Sequence, residues 1–204
     1  MAECIIRTVH LVLASASPRR ADLLRAAGYD FEVAPADVDE SVLQGESPRA
    51  YVERLAIAKV RRVTCRESGM TALGADTTVV VEGAILGKPE DAADAARMLE
   101  MLAGRTHEVL TGVALRRGEH VVSDVAVTQV HFLPLSAAVI AWYVDTGEPM
   151  GKAGAYAIQG HASRFIDWIQ GSYSNVVGLP VHMVDALSHR LQLAVESHPS
   201  RGIC

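Results

Sequence analysis

Hydrophobic and polar positions switch between two spacings along this chain, and the switches mark its elements. A short apolar run at residues 10–14 predicts a buried strand. Ser17-Pro18 then starts a helix, with serine as N-cap and proline at the first helical position. Leu23, Leu24 and Ala27 give that helix an apolar face, and Gly28 closes it. Residues 31–34 read as the next strand. Ser47-Pro48 repeats the start signal for a helix reaching about Val63, with Tyr51, Leu55 and Ala58 on one face. Residues 73–81 and 84–86 read as two strands joined by a tight turn at Glu82-Gly83. A helix over 89–103 ends at Gly104. Segments 109–115 and 121–132 form a long hairpin turning near Gly118. Ser136 caps a helix to about Asp145, residues 165–169 form a strand, and 180–193 is the last helix. From Glu196 the tail is polar.

Strands and helices intermix and hairpins are present, which predicts a mixed α/β fold rather than a purely parallel sheet. The 204 residues suit one domain over 1–195 with a polar tail at 196–204. Half of the residues are hydrophobic and the net charge is -5, so no general nucleic-acid or membrane surface is expected, and any anion must be held by a local group of cations. Cys4, Cys65 and Cys204 are odd in number and lack a C-x-x-C spacing, which fits reduced thiols in a cytoplasm. The eight histidines are scattered, without H-E-x-x-H. Residues 11–16 imitate the end of a signal peptide, but Arg7 and His10 interrupt the apolar run, so none is expected. No apolar run is long enough to span a membrane.

Five constellations could carry chemistry. In A-S-A-S-P-R-R at 14–20, small residues follow a strand and lead into a capped helix, whose N-terminus favours an anion. Two arginines in a first helical turn are unfavourable there unless an anion compensates them; a surface pair beside an ordinary cap is the alternative. In G-A-D-T-T at 74–78, Asp76 interrupts a β-forming run. A buried carboxylate needs a partner or a metal, unless the strand bulges and leaves it solvated. G-K-P at 87–89 is not a P-loop, and Lys88 alone could be a turn lysine. V-D-E at 38–40 reads by itself as a solvated loop. The glycine-rich 151–160 segment can approach a ligand closely, and its Gln159 both donates and accepts hydrogen bonds; a generic loop explains the segment as well.

Taken together, these residues resemble the Maf family of nucleotide pyrophosphatases, relatives of the inosine-triphosphate pyrophosphatases. The matching blocks run in order: A-S-x-S-P-R-R at 14–20, D-E at 39–40, L-A-x-x-K at 55–59, G-A-D-T at 74–77, G-K-P at 87–89, K-A-G-A-Y-x-I-Q-G at 152–160 and G-S-Y-x-x-V-x-G-L-P at 171–180. The resemblance implies an elongated mixed sheet flanked by helices, with two lobes and a central cleft. It implies a divalent cation, magnesium or manganese, and a nucleoside triphosphate substrate. It casts Asp76 as proton acceptor or metal-bound base, and Ser15, Arg19, Arg20, Lys59 and Lys88 as phosphate contacts. Glu40 becomes a metal or water ligand beside Asp76. Arg19, Thr77 and Gln159 match positions linked to a preference for dTTP and UTP. A cytoplasmic homodimer is the further expectation.

Asp22 departs from the family's usual glutamate. Gly151 stands where an aspartate often precedes the lysine, which removes a partner for Lys152, and residues 1–9 are a long extension. The implied reaction is attack of water on the α-phosphorus, releasing pyrophosphate and the monophosphate. Modified or methylated nucleotides as substrates, and a nucleotide-binding cell-division regulator with incidental hydrolysis, stay open at this point.

Overall fold

The computed structural model describes residues 10–63 and 69–197. The three cysteines, the 1–9 extension and the tail beyond Ser197 lie outside the described residues. In chain order the elements are β1 (Leu11–Leu13), α1 (Pro18–Ala26), β2 (Phe31–Val33), α2 (Pro48–Arg62), β3 (Thr71–Val81), β4 (Ala84–Leu86), α3 (Ala92–Leu102), β5 (Thr106–Arg117), β6 (His120–Phe132), α4 (Ala137–Asp145), β7 (Ile166–Gln170), α5 (Tyr173–Val177) and α6 (Val181–Ser197). Seven strands form one sheet in the order β2-β1-β3-β5-β6-β7, with β4 also on β3. β1 is parallel to both β2 and β3; the other pairings are antiparallel. This is the expected mixed α/β sheet.

Alternation along β3 and β5 sorts the packing. Leu73, Ala75, Val113 and Leu115 pack with α1 and α6, while Val79, Val81 and Val109 join an aromatic-rich core under α3 and α4. The intervening residues Ala72, Val80, Leu110 and Ala114 face α2, where they meet Leu55, Ala56 and Val60. The two clusters on the α1/α3 side lie toward opposite ends of β3 and β5.

Two glycines let α2 lie unusually close. A Cβ on Gly112 would overlap the Val52 carbonyl, and one on Gly74 would overlap the Ala56 carbonyl. An isolated glycine in a strand marks this kind of backbone approach. The two strand glycines flank Asp76, since Asp76 is the cross-strand partner of Gly112. The helix therefore presses on the sheet around that aspartate.

β3 pairs with β1 at residues 71–73 and with β4 at residues 79–81. Between them, residues 74–78 have β5 on one side and neither β1 nor β4 on the other. The sheet is split open at Asp76 and Thr77.

Several elements run longer than the sequence reading, β5 from Thr106 to Arg117 and α6 to Ser197, and four further details differ. The third helix starts at Ala92 instead of Pro89, because the Asp91 side chain accepts from Asp94 N at 2.8 Å and Asp94 Oδ2 accepts from Glu90 N. The buried face of α1 is Arg20, Ala21 and Leu24, with Ala27 exposed, because Arg20 turns inward. The stripe on α2 runs through Tyr51, Val52, Leu55, Ala56, Lys59 and Val60, leaving Ala58 half-buried. The short helix α5 had no expectation.

Candidate active site

The break in the sheet opens into a cleft of ≈ 410 Å³ lined by residues from both faces. Asp76 points to the α2 side. Its side chain is buried, and Oδ1 accepts from Lys59 Nζ at 2.6 Å. The same ammonium donates to Glu40 Oε1 at 2.7 Å, and Lys88 Nζ lies 3.5 Å from Glu40 Oε2. Lys59 thus sits between two carboxylates, and Glu40 between two lysines. Burial by itself would raise the Glu40 pKa, but the bond to Lys59 and the charges of Lys59 and Lys88 bring it below the ordinary carboxylate value. Lys88 is 64% exposed and reaches the cleft from β4's end.

Glu40 owes its place to α2. Tyr51 Oη donates to the Glu40 carbonyl at 2.9 Å, and Arg54 donates to the Ser41 carbonyl and bidentately to Glu46. The loop that read as solvated acid is strapped down on the helix that carries Lys59.

On the other face, Arg20 is buried and uses three nitrogens on the protein itself. Nε donates to the Gly178 carbonyl at 2.8 Å, Nη1 to Ser15 Oγ at 2.9 Å and Nη2 to Thr77 Oγ1 at 3.0 Å. Burial lowers its pKa, and the charge of Asp76 opposes that shift; an arginine keeps its proton regardless. Two of its five N–H groups are left for a ligand. Arg19, half-buried, donates Nε to the Val177 carbonyl at 3.3 Å. Both arginines therefore anchor the short helix α5, in addition to lining the cleft. Ser17 is the N-cap residue of α1, but its side chain makes no capping bond. Ser15 Oγ instead accepts from Ser17 N, so Ser15 ties the loop to Arg20.

Thr77 Oγ1 meets Arg20, Thr111 Oγ1 at 2.9 Å and the Gly178 carbonyl at 3.3 Å. It belongs to a buried polar chain that passes through Thr111 to Asn175. The Asn175 amide donates to Val109 O and Thr128 Oγ1, both at 2.9 Å. Thr111, Thr128 and Asn175 were not anticipated. Their signal in the sequence is weak, because threonines are ordinary in strands.

Gln159, Lys152 and Tyr156 complete the cleft. Lys152 Nζ donates to the Glu148 and Met150 carbonyls, so the glycine at 151 does not leave it without partners. Burial, then the like charge of Arg19, lowers the Lys152 pKa. Asp22 lies elsewhere, paired with Arg25 on the surface. The structure therefore brings Ser15, Arg19, Arg20, Glu40, Lys59, Asp76, Thr77, Lys88 and Gln159 into one hollow. It adds Lys152, giving five cations against two carboxylates, a net charge of +3.

Two carboxylates converging on one ammonium are a donor set that a small divalent cation accepts, since magnesium is usually held by one or two carboxylates plus substrate phosphates. Among the described residues, no group of three or more His, Cys, Asp or Glu side chains gathers as an all-protein metal site.

Comparisons with known proteins bear on the fold and on the family. The fold resembles that of the Staphylococcus aureus Ham1 protein, with a TM-score of 0.52 at 14% identity, covering 89% of this chain and 98% of that one. A Symbiobacterium thermophilum protein named dTTP/UTP pyrophosphatase is 56% identical over 172 residues, 84% of this chain and 89% of its own. One of the same name from an Anaeromyxobacter species is 51% identical over 201 residues, 94% of this chain and 96% of its own. The sequence model of the Maf-like proteins matches residues 10–191, nearly the whole described fold and every cleft residue, and the chain belongs to the Maf-like protein family.

Proposed function

We propose that this protein hydrolyses nucleoside triphosphates, dTTP and UTP foremost, to the monophosphate and pyrophosphate. The observation that carries the reading is a buried carboxylate, Asp76, at a break in the sheet, sharing one cleft with Ser15 and five cations. The names of relatives at 51–56% identity supply the substrate class.

A triphosphate brings about four negative charges, which Arg19, Arg20, Lys59, Lys88 and Lys152 oppose. Arg20 is locked by its own hydrogen bonds, so it offers fixed donors that need no rearrangement during reaction. Asp76 Oδ1 is held by Lys59, which leaves Oδ2 to take a proton from water. As the water oxygen bonds to the α-phosphorus, the bond from that phosphorus to the bridging oxygen breaks. Pyrophosphate leaves with its charge already opposed by the lysines. A magnesium or manganese ion held by Asp76 and Glu40 would supply Lewis-acid polarisation of the phosphate and a more acidic water.

For the base, Gln159 pairs its amide with the N3–H and a carbonyl of uracil or thymine; cytosine lacks that N3–H and pairs only with the amide turned over, so an amide held one way round binds it less well. Thr77 acts on selection by fixing Arg20 rather than by touching the base, because its hydroxyl is already engaged. The reading carries a cytoplasmic homodimer with it. No helix of the described residues is long and apolar enough to cross a membrane, and light scattering on the purified chain tests the pairing.

A triphosphate panel with magnesium, read by pyrophosphate release, tests the proposal. Orthophosphate with a diphosphate as products would refute cleavage at the α-phosphorus, and equal kcat/KM for UTP and ATP would refute the base preference.

A further inference from the structure

Glu148 follows α4 and takes no part in the chemistry above, yet its carboxylate is among the most fully used on the molecule. Oε1 accepts from Tyr143 Oη at 2.8 Å and from Ala162 N at 3.4 Å. Oε2 accepts from His161 N at 3.0 Å and His161 Nδ1 at 2.9 Å. The side chain is only 16% exposed. An ionised carboxylate has about four acceptor sites, and here four donors converge on it. Burial alone would raise its pKa, but these bonds hold it below the ordinary value.

Three of the four bonds come from one short segment, and the fourth reaches it through Tyr143. His161 and Ala162 lie two and three residues after Gln159, and Ala157, two residues before it, donates its N–H to the Tyr143 hydroxyl at 3.2 Å. Gln159 is therefore pinned on both sides by a single Tyr143–Glu148 pair. Gly160 shows how tight the arrangement is, because a Cβ there would overlap the Glu148 carboxylate. A long side chain normally swings aside from such a contact, but this one could do so only by giving up its hydrogen bonds. The main chain of Glu148 serves the same cleft, since its carbonyl accepts from Lys152 Nζ.

We propose that Glu148 is a positioning residue for nucleobase selection, clamping residues 157–162 so that Gln159 presents its amide to the base in one orientation. The inference rests on the assignment of Gln159 as the base contact. Glu148 touches neither phosphate nor base, so its loss weakens recognition of the base and leaves phosphate chemistry to the other groups. A residue that merely stabilised the fold would lower activity on every nucleotide alike.

The test is steady-state pyrophosphate release from UTP and CTP by the full chain with magnesium, comparing Glu148→Gln, Gln159→Ala and the double variant. Glu148→Gln keeps the size of the side chain but trades one acceptor for a donor that faces N–H groups. Its UTP-over-CTP ratio of kcat/KM should fall roughly tenfold, with the loss appearing in KM for UTP rather than in kcat. The double variant should be no less selective than Gln159→Ala alone, since one residue acts through the other. An unchanged ratio in Glu148→Gln, or losses that multiply in the double variant, would overturn the clamp while leaving the base contact standing. If Gln159→Ala keeps full selectivity, the base contact itself falls, and the clamp with it. Should Glu148→Gln fail to fold, Tyr143→Phe removes one hydroxyl from the same clamp; it must shift the ratio in the same direction, and an unshifted ratio overturns the proposal.

Discussion

Replacing Gly112 by alanine tests whether the close seat of α2 on the sheet sets the active site. The added Cβ would lie 2.5 Å from the Val52 carbonyl carbon and 2.8 Å from Glu53 N. Ordinary contact begins near 3.4 Å, so the helix must retreat by about 1 Å. The atoms in the way are backbone, which cannot rotate aside. Overpacking a tight core costs about 1–3 kcal/mol, and the lack of a yielding side chain places Gly112→Ala at the upper end. The helix carries Val52, Leu55, Ala56 and Val60, all fully buried, so much of the sheet's packing on that face loosens together. It also carries Lys59 and, through Tyr51 and Arg54, the loop with Glu40. A shift of about 1 Å in positioning groups can cost on the order of 10² in rate. Gly87→Ala is the matched control, because nothing lies within 4 Å of a Cβ there and its φ is ordinary; its stability should change by no more than about 0.5 kcal/mol. Urea unfolding followed by pyrophosphate release measures both effects. A Gly112→Ala protein with the control's stability and full turnover would refute the idea that the glycine pair seats the helix.

Asp76→Asn should bind nucleotide within a few-fold of the parent and lose turnover by roughly 10²-fold or more; near-normal turnover would exclude Asp76 as the proton acceptor. Arg20→Lys cannot span Gly178, Ser15 and Thr77 at once, so thermal unfolding should show a loss of about 2 kcal/mol, and an unaltered midpoint would argue against the anchoring role. Chelation with EDTA should stop pyrophosphate release and magnesium or manganese should restore it; activity that survives thorough chelation would remove the metal from the proposal. Glu40 and Glu148 both have folded pKa values below the ordinary 4.5. Their contribution is therefore complete above about pH 4.5 and lost as pH falls through the lower folded values. Glu148→Gln should flatten the acid limb of the stability profile, and an acid limb as steep as the parent's would show that this carboxylate contributes little.

The strands were legible because β1, β3, β5 and β6 are apolar runs bounded by turn residues, and the capped helices because serine-proline pairs announce α1 and α2. The site was legible at Asp76, where a carboxylate interrupts a strand, and in the paired arginines. What the pattern hid was direction. Two adjacent arginines look equivalent in sequence, yet the rotation of about 100° between consecutive helical residues sends Arg20 inward onto Gly178 and leaves Arg19 half-exposed. Lys59 could have been found as buried, since it continues the Tyr51–Leu55 spacing on α2. Gly74 and Gly112 carried a readable sign of close packing. Glu148 carried none, because its meaning depends on a turn more than ten residues away that reaches it only in three dimensions.

The interruption along β3 has a consequence for how the protein meets its ligand. A strand flank without a neighbour usually invites another chain and must be defended. Here the bare stretch is five residues long and recessed behind charged side chains, too short for a foreign strand to zip along and well placed for a small anion. A bound nucleotide would take the seat that a neighbouring strand fills elsewhere, and the amide protons of Ala75 and Thr77, which face the gap because Thr71 and Leu73 face β1, should exchange with deuterium more slowly once it arrives.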